Sequence, residues 1–168
     1  QAKVAAVAVA IAGFFGISLL SGAVKSAAEF EAAMSRVKSA AGGTDEEFKA
    51  LKQAAEDAGA ATKYTSVQAA EALENLAKAG LSATQAIEAL PAVLALAQAG
   101  DVELGTSAEF VTKAVMGMGL AFADAGRVAD VLALGAGATN TSVKGLAEAL
   151  SYAAPTAQSL GLSLETTV

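Results

Sequence analysis

Thr44 with Glu47, Thr65 with Gln68, Ser82 with Gln85, and Thr106 with Glu109 each set a Ser or Thr three residues before a Glu or Gln, ahead of an apolar run. At that spacing the hydroxyl can accept from the third backbone amide of a helix. The longer side chain then reaches back to the N–H of the cap residue. Two of the amides that every helix start leaves unpaired are satisfied together. A β-strand has no use for such a pair, so the signal commits the chain to helices.

Behind each cap the apolar residues recur at intervals of three and four. After Thr44, the residues Phe48, Leu51, Ala55 and Ala58 form an inward stripe, with Gly59 at the stop. After Thr65, Ala69, Leu73, Leu76 and Ala77 face in, Glu71, Glu74 and Lys78 share the wet face, and Gly80 ends the helix. Pro91 leaves two readings of "LSATQAIEALPAVLALAQAGD" open: a short helix followed by a second one, or one kinked helix. Thr106 opens a helix through Phe110, Val111, Val115 and Met118 that should end near Phe122. Asp124 caps the next, with Val128, Val131, Leu132 and Gly135 inward, and "TNTS" breaks it. Val143, Leu146, Leu150, Ala153, Ala157 and Leu160 then keep helical spacing up to Gly161, with Pro155 expected to bend the run or loosen its ladder. No segment alternates with period two.

The first 43 residues read differently. Between Lys3 and Lys25 there is no charge, and the only polar side chains are Ser18 and Ser21. Val4–Val24 would make a helix of about 31 Å, enough to cross a hydrocarbon core. Yet Ala12, Gly13 and Gly16 invite close approach of another helix, and neither boundary carries the Trp or Tyr that suits a membrane interface. Past Lys25 the stretch turns amphipathic, with Phe30, Met34, Val37 and Ala41 on one stripe and Glu31, Arg36 and Lys38 off it. One helix of roughly 60 Å, ending at Gly42-Gly43, is the expectation.

The expected fold class is therefore all-α: one long N-terminal helix, hydrophobic and then amphipathic, followed by a compact set of short helices. The expected division is 1–43, a transmembrane or bundle-forming segment, and 44–168, a helical domain cut short at its C-terminal end. Val7, Ile11, Phe14, Phe15, Phe30, Met34 and Val37 are the candidate self-association or membrane face. The Gln1 start and the "LSLETTV" finish both read as cuts from something longer.

Composition narrows the function classes. Hydrophobic residues make up 54% of the chain and charged residues 17%, which places it far from disordered sequences. Aromatics are 5% with no Trp, so the core must be built from small side chains on closely packed helices. The net charge of −6 divides into +2 for residues 1–43 and −8 for the remainder. An acidic body lacks the clustered Lys and Arg of a nucleic-acid surface, so no sequence-specific nucleic-acid partner is expected. The absence of His and Cys removes the usual zinc sites, thiol nucleophiles, disulfides and the commonest general base. No cofactor and no metal is expected.

Three short motifs invite chemistry and lose it on inspection. Ser35 and Lys38 in "SRVK" have the Ser-x-x-Lys spacing of acyl-transfer serine enzymes, but the companion motifs are missing and the serine rides on an amphipathic helix. "GMG" at 117–119 has no strand before it, so close helix approach explains it better than a phosphate loop. "NTS" at 140–142 serves as a turn and helix cap without any glycan. Asp45, Glu46 and Glu47 sit at a helix N-terminus, where negative charge offsets the helix dipole. Glu56 and Asp57 look like a solvated face. No catalytic set survives, and an enzyme is not expected.

With the segments in order, a resemblance emerges. Phe30 through Gly100 and Ala125 through Thr167 resemble the conserved helical region of phage tail tape measure proteins, and the similarity covers about residues 29–168. Its distinctive pieces are "AATKYTS", "LAKAGLSATQ", "ALP", "GRVADVLA", and "NTSV" followed by "AEALSYAAP". The resemblance implies a structural protein of long-tailed phages or phage-derived particles. Its extended molecule would lie in the tail lumen, setting how far the tube polymerises, and would be shared among several copies, a trimer being favoured. Implied partners are tail tube proteins, tail-tip or baseplate proteins, tail assembly chaperones, and the host inner membrane when apolar segments help DNA across. The family offers no catalytic residues to carry over. About 60 Å of helix is far shorter than a tail, so the ruler itself would lie in another part. The competing reading is a membrane-anchored or pore-forming helical module.

Overall fold

Thr44, Thr65 and Ser82 each accept a hydrogen bond from the third amide of a helix, while Glu47, Gln68 and Gln85 return to the cap N–H. These three capping boxes open the helices Asp45–Ala61 (α2), Ser66–Lys78 (α3) and Ala83–Gly100 (α4). The computed structural model describes residues 25–139 and 141–168. Ahead of α2 lies a helix described over 25–41 (α1). The remaining helices are Leu104–Gly117 (α5), Ala125–Ala138 (α6), Val143–Ser159 (α7) and the single turn Leu164–Thr167 (α8), with a 3-10 turn at Phe122–Asp124 between α5 and α6. Among the described residues there is no strand. The all-α expectation holds; the part of the long helix expected over Ala2–Val24 lies outside the described residues.

The helices stop as abruptly as they start. Gly80, Gly119 and Gly161 have φ of 96°, 64° and 68°, a region costly for any residue with a Cβ. Each turns the chain so that the residue beyond it, Leu81, Leu120 or Leu162, donates back into the last helical turn at 2.9–3.2 Å. This chemistry ends α5 at Gly117, several residues before the expected stop near Phe122.

Helix α4 forms the centre and touches α2, α3, α5, α6 and α7. It is apolar almost all round, as a surrounded helix must be, and buries Ala86, Ala89, Leu90, Val93, Leu96 and Ala97. The two open readings of Pro91 resolve to one continuous helix. Pro91 and Pro155 are both exposed, so the carbonyls four residues back, on Ile87 and Ser151, lose their partner where water can replace it. Small residues set the close approaches. A Cβ on Gly117 would meet Ala154 Cβ at 3.0 Å and one on Gly100 would meet Val143 Cβ at 2.8 Å, so α7 lies against both α5 and the end of α4. Close helix approach is thus the role of Gly117 in "GMG".

Several local expectations are corrected. Thr106 is no cap: α5 starts earlier, with Glu103 in the cap position and no side-chain cap bond. Packing decides that start, because Leu104 is buried and Ser107 is fully buried with Oγ donating 2.7 Å to the Val93 carbonyl of α4. Asp124 holds the cap position of α6 as expected, but its side chain makes no cap bond and pairs with Arg127 at 3.5 Å instead. Gly59 does not stop α2, which runs on to Ala61. On α7 the inward stripe passes through Ala154 rather than Ala153, and Leu160 is 69% exposed because the helix has ended at Ser159.

Candidate functional site

The sequence pattern puts Glu74 on a wet face, yet only 9% of its side chain is exposed. It lies on α3 one turn before Lys78, whose Nζ reaches Glu74 Oε1 at 2.6 Å. The other oxygen, Oε2, accepts from Arg36 Nε of α1 at 2.8 Å. Arg36 also extends a terminal nitrogen to within 3.9 Å of Glu71 Oε1, one turn earlier on α3. Burial pushes the Glu74 carboxyl up, but the hydrogen bonds from Lys78 and Arg36 outweigh it and hold the group below the usual carboxylate range. Hydrogen bonding to Glu74 likewise raises the Arg36 guanidinium. A buried charge that kept only one of these partners would be strongly unfavourable, so the cluster ties α1 to α3.

Two more ion pairs, each with a lysine beside an aromatic ring, hold α1. Lys52 of α2 pairs with Glu31 and lies 5.7 Å from the Phe30 ring centre. Lys38 pairs with Asp45 across the α1–α2 joint at 2.9 Å and lies 5.0 Å from the Phe48 ring. Beneath these, Ala33, Met34 and Val37 are wholly buried in the same core as Leu51, Leu73 and Leu76. Of the candidate self-association face, Phe30 is therefore partly buried and Met34 and Val37 are inside the fold of a single chain. Val7, Ile11, Phe14 and Phe15 lie outside the described residues.

A 380 Å³ cleft opens beside the cluster, lined by Arg36, Glu71, Glu74, Asn75, Lys78 and Glu103 among others. Arg36, Glu71, Glu74 and Lys78 are engaged with one another there, and the cleft lining holds no Ser, Thr, His or Cys to act as a nucleophile. Ser35 and Lys38 do not work together either: Lys38 is committed to Asp45, and the Ser35 carbonyl accepts from Ser39 Oγ at 3.0 Å. Among the described residues no group of acidic side chains is placed to hold a metal ion, and no helix is long and apolar enough to cross a membrane.

Sequence reasoning misses the Glu74 cluster because Glu74 falls between two inward positions, Leu73 and Leu76, and only the arrival of α1 covers it.

Helices joined by capped turns and glycine stops, stapled by ion pairs between elements distant in sequence, define a structural helical module. Residues 52–168 match the family of phage-related minor tail proteins, and the chain belongs to that family. It is 42% identical over 144 residues to the tape measure protein of Pneumococcus phage Dp-1, a match covering 86% of this chain and 12% of that protein. The chain thus spans only a small part of the relative's length. No solved structure matches.

Proposed function

We propose that this chain is a segment of a phage tape measure protein with a structural role in the tail and no catalytic step of its own. The observation that carries the reading is the 42% identity to a tape measure protein across most of the chain. In this reading the molecule occupies the tail lumen, and its full length, most of it beyond this segment, sets the extent of the tube. Copies associate, three being the favoured number, through Val7, Ile11, Phe14 and Phe15. Tube proteins, tip or baseplate proteins and tail assembly chaperones are the partners during assembly. At infection the molecule leaves ahead of the DNA, and the uncharged stretch Val4–Val24, long enough to cross a hydrocarbon core, meets the host inner membrane. That length also supports the second reading, a membrane-anchored or pore-forming module.

Replacing Ile11 and Phe15 with Asp tests the association role. The proposal expects assembled tails to be lost. Normal tails that fail only at infection would leave the membrane role and remove the association role.

A further inference from the structure

We propose that α1 is a strap that swings off the α2–α3 pair as a unit, hinged at Gly42-Gly43 and latched by Arg36 on Glu74. The inference rests on the geometry of one chain and stands or falls independently of the tail role.

The joint is built to turn. Gly42 and Gly43 have φ of 62° and 94°, and a Cβ added at Gly42 would meet nothing within 4 Å. A Cβ at Gly43 would meet the Glu47 side chain, whose carboxylate oxygen lies 2.6 Å away and accepts from the Thr44 N–H. The space beside Gly42 is open, and rotation there breaks the bond from its N–H to the Lys38 carbonyl at 3.1 Å. Beside the α2–α3 joint the packing is tight: a Cβ on Gly59, in the last turn of α2, would lie 2.6 Å from the backbone nitrogen of Ser66.

The seam under α1 is also thin. Over its described length α1 buries Ala33, Met34 and Val37, whereas the shorter α3 buries Ala69, Ala70, Ala72, Leu73, Leu76 and Ala77 besides Glu74. Three open surface clefts border that seam, 380 Å³ at Ser35 and Ser39, 550 Å³ at Ala27 and Phe30, and 320 Å³ at Ala32 and Val67. What holds the strap is therefore largely polar: Arg36 on Glu74 and Glu71, Glu31 on Lys52, and Lys38 on Asp45. Segments with few buried contacts and exposed ties are the ones that open below the global unfolding free energy. Opening uncovers Met34 and Val37.

The chain has no cysteine, so a single introduced thiol reports opening cleanly. Ala33→Cys places it under the strap and Ala97→Cys places it in α4, both at fully buried positions. Thiol labelling of each is measured alone and with either Arg36→Ala or Leu132→Ala, the latter removing a fully buried side chain of α6 remote from the strap. If α1 opens as a unit, Ala33→Cys labels faster than Ala97→Cys, and Arg36→Ala speeds it about tenfold. Leu132→Ala then speeds labelling of Ala97→Cys by about thirtyfold or more and leaves that of Ala33→Cys unchanged, because α6 stays folded when the strap opens. Equal acceleration of both thiols by Leu132→Ala would mean that α1 leaves only in global unfolding, and the strap would be refuted. A fast Ala33→Cys thiol indifferent to Arg36→Ala would refute the latch. Should Leu132→Ala fail to fold, Val128→Ala serves in its place. Hydrogen exchange of the α1 and α4 amides in the unsubstituted chain provides the same comparison.

Discussion

Arg36 of α1 donates from Nε to Glu74 Oε2 of α3 at 2.8 Å, joining residues 38 positions apart over a carboxylate that Lys78 approaches from the other side. The pairing makes part of the fold's stability depend on pH. The folded-state pKa of Glu74 is lowered, so its contribution is fully present above the unfolded carboxyl value of about 4.3 and is lost as pH falls through the lowered folded value. Arg36, whose guanidinium is raised by the same bond, remains charged throughout this window. Glu74→Gln should cost about 1 kcal/mol at neutral pH and flatten the acid side of a stability–pH curve measured by urea unfolding. An acid limb identical to that of the unsubstituted chain would show that the pair contributes nothing net.

The helix starts can be tested against one another. Thr65→Ala removes a hydroxyl that accepts from Gln68 N and should cost about 1 kcal/mol. Thr106→Ala removes no cap and should stay within about 0.5 kcal/mol. Ser107→Ala should cost about 1 kcal/mol, because its hydroxyl ties α5 to the Val93 carbonyl. Thermal unfolding of the three variants ranks them; Thr106→Ala as the most damaging would restore the start that the sequence suggested.

Two glycine substitutions should differ in sign. Gly126 lies in α6, where an added methyl group would meet nothing within 4 Å, so Gly126→Ala should stabilise by about 0.5 kcal/mol. Gly59→Ala gains the same helix propensity but drives its methyl into Ser66, and should destabilise by about 1–3 kcal/mol. Denaturant midpoints that move together would contradict the packing of α2 on α3.

At the centre of the core, Leu96 is 1% exposed on a helix that touches five others. Leu96→Ala should cost about 2–5 kcal/mol, against a typical total of about 5–15 kcal/mol. Calorimetry should show a sharp fall in the unfolding temperature; a shift of only a degree or two would mean that α4 is not the centre of packing.

Much of this architecture is legible in the sequence because its signals are local. Thr44–Glu47, Thr65–Gln68 and Ser82–Gln85 act within a single turn, and so do the stops at Gly80 and Gly161. The failures arise where distant residues decide. Thr106–Glu109 has the same spacing, but burial of Leu104 and Ser107 moves the helix start upstream. Glu74 looks solvated until α1 brings Arg36 over it. Pro91 has two outcomes in the sequence, and burial of both flanks of α4 around an exposed proline selects one. The candidate face residues Phe30, Met34 and Val37 pack into the core of their own chain, and periodicity cannot say whether an apolar stripe meets its own chain or a partner.

The central claim, that the chain is part of a tape measure within a phage tail, is tested most directly by a cryo-electron microscopy map of intact tails. The account predicts density for these residues inside the tube, close to its axis, with three copies arranged about it. Density for them only on the outer surface of the tail, or tails of normal length and content in which they are missing, would contradict it.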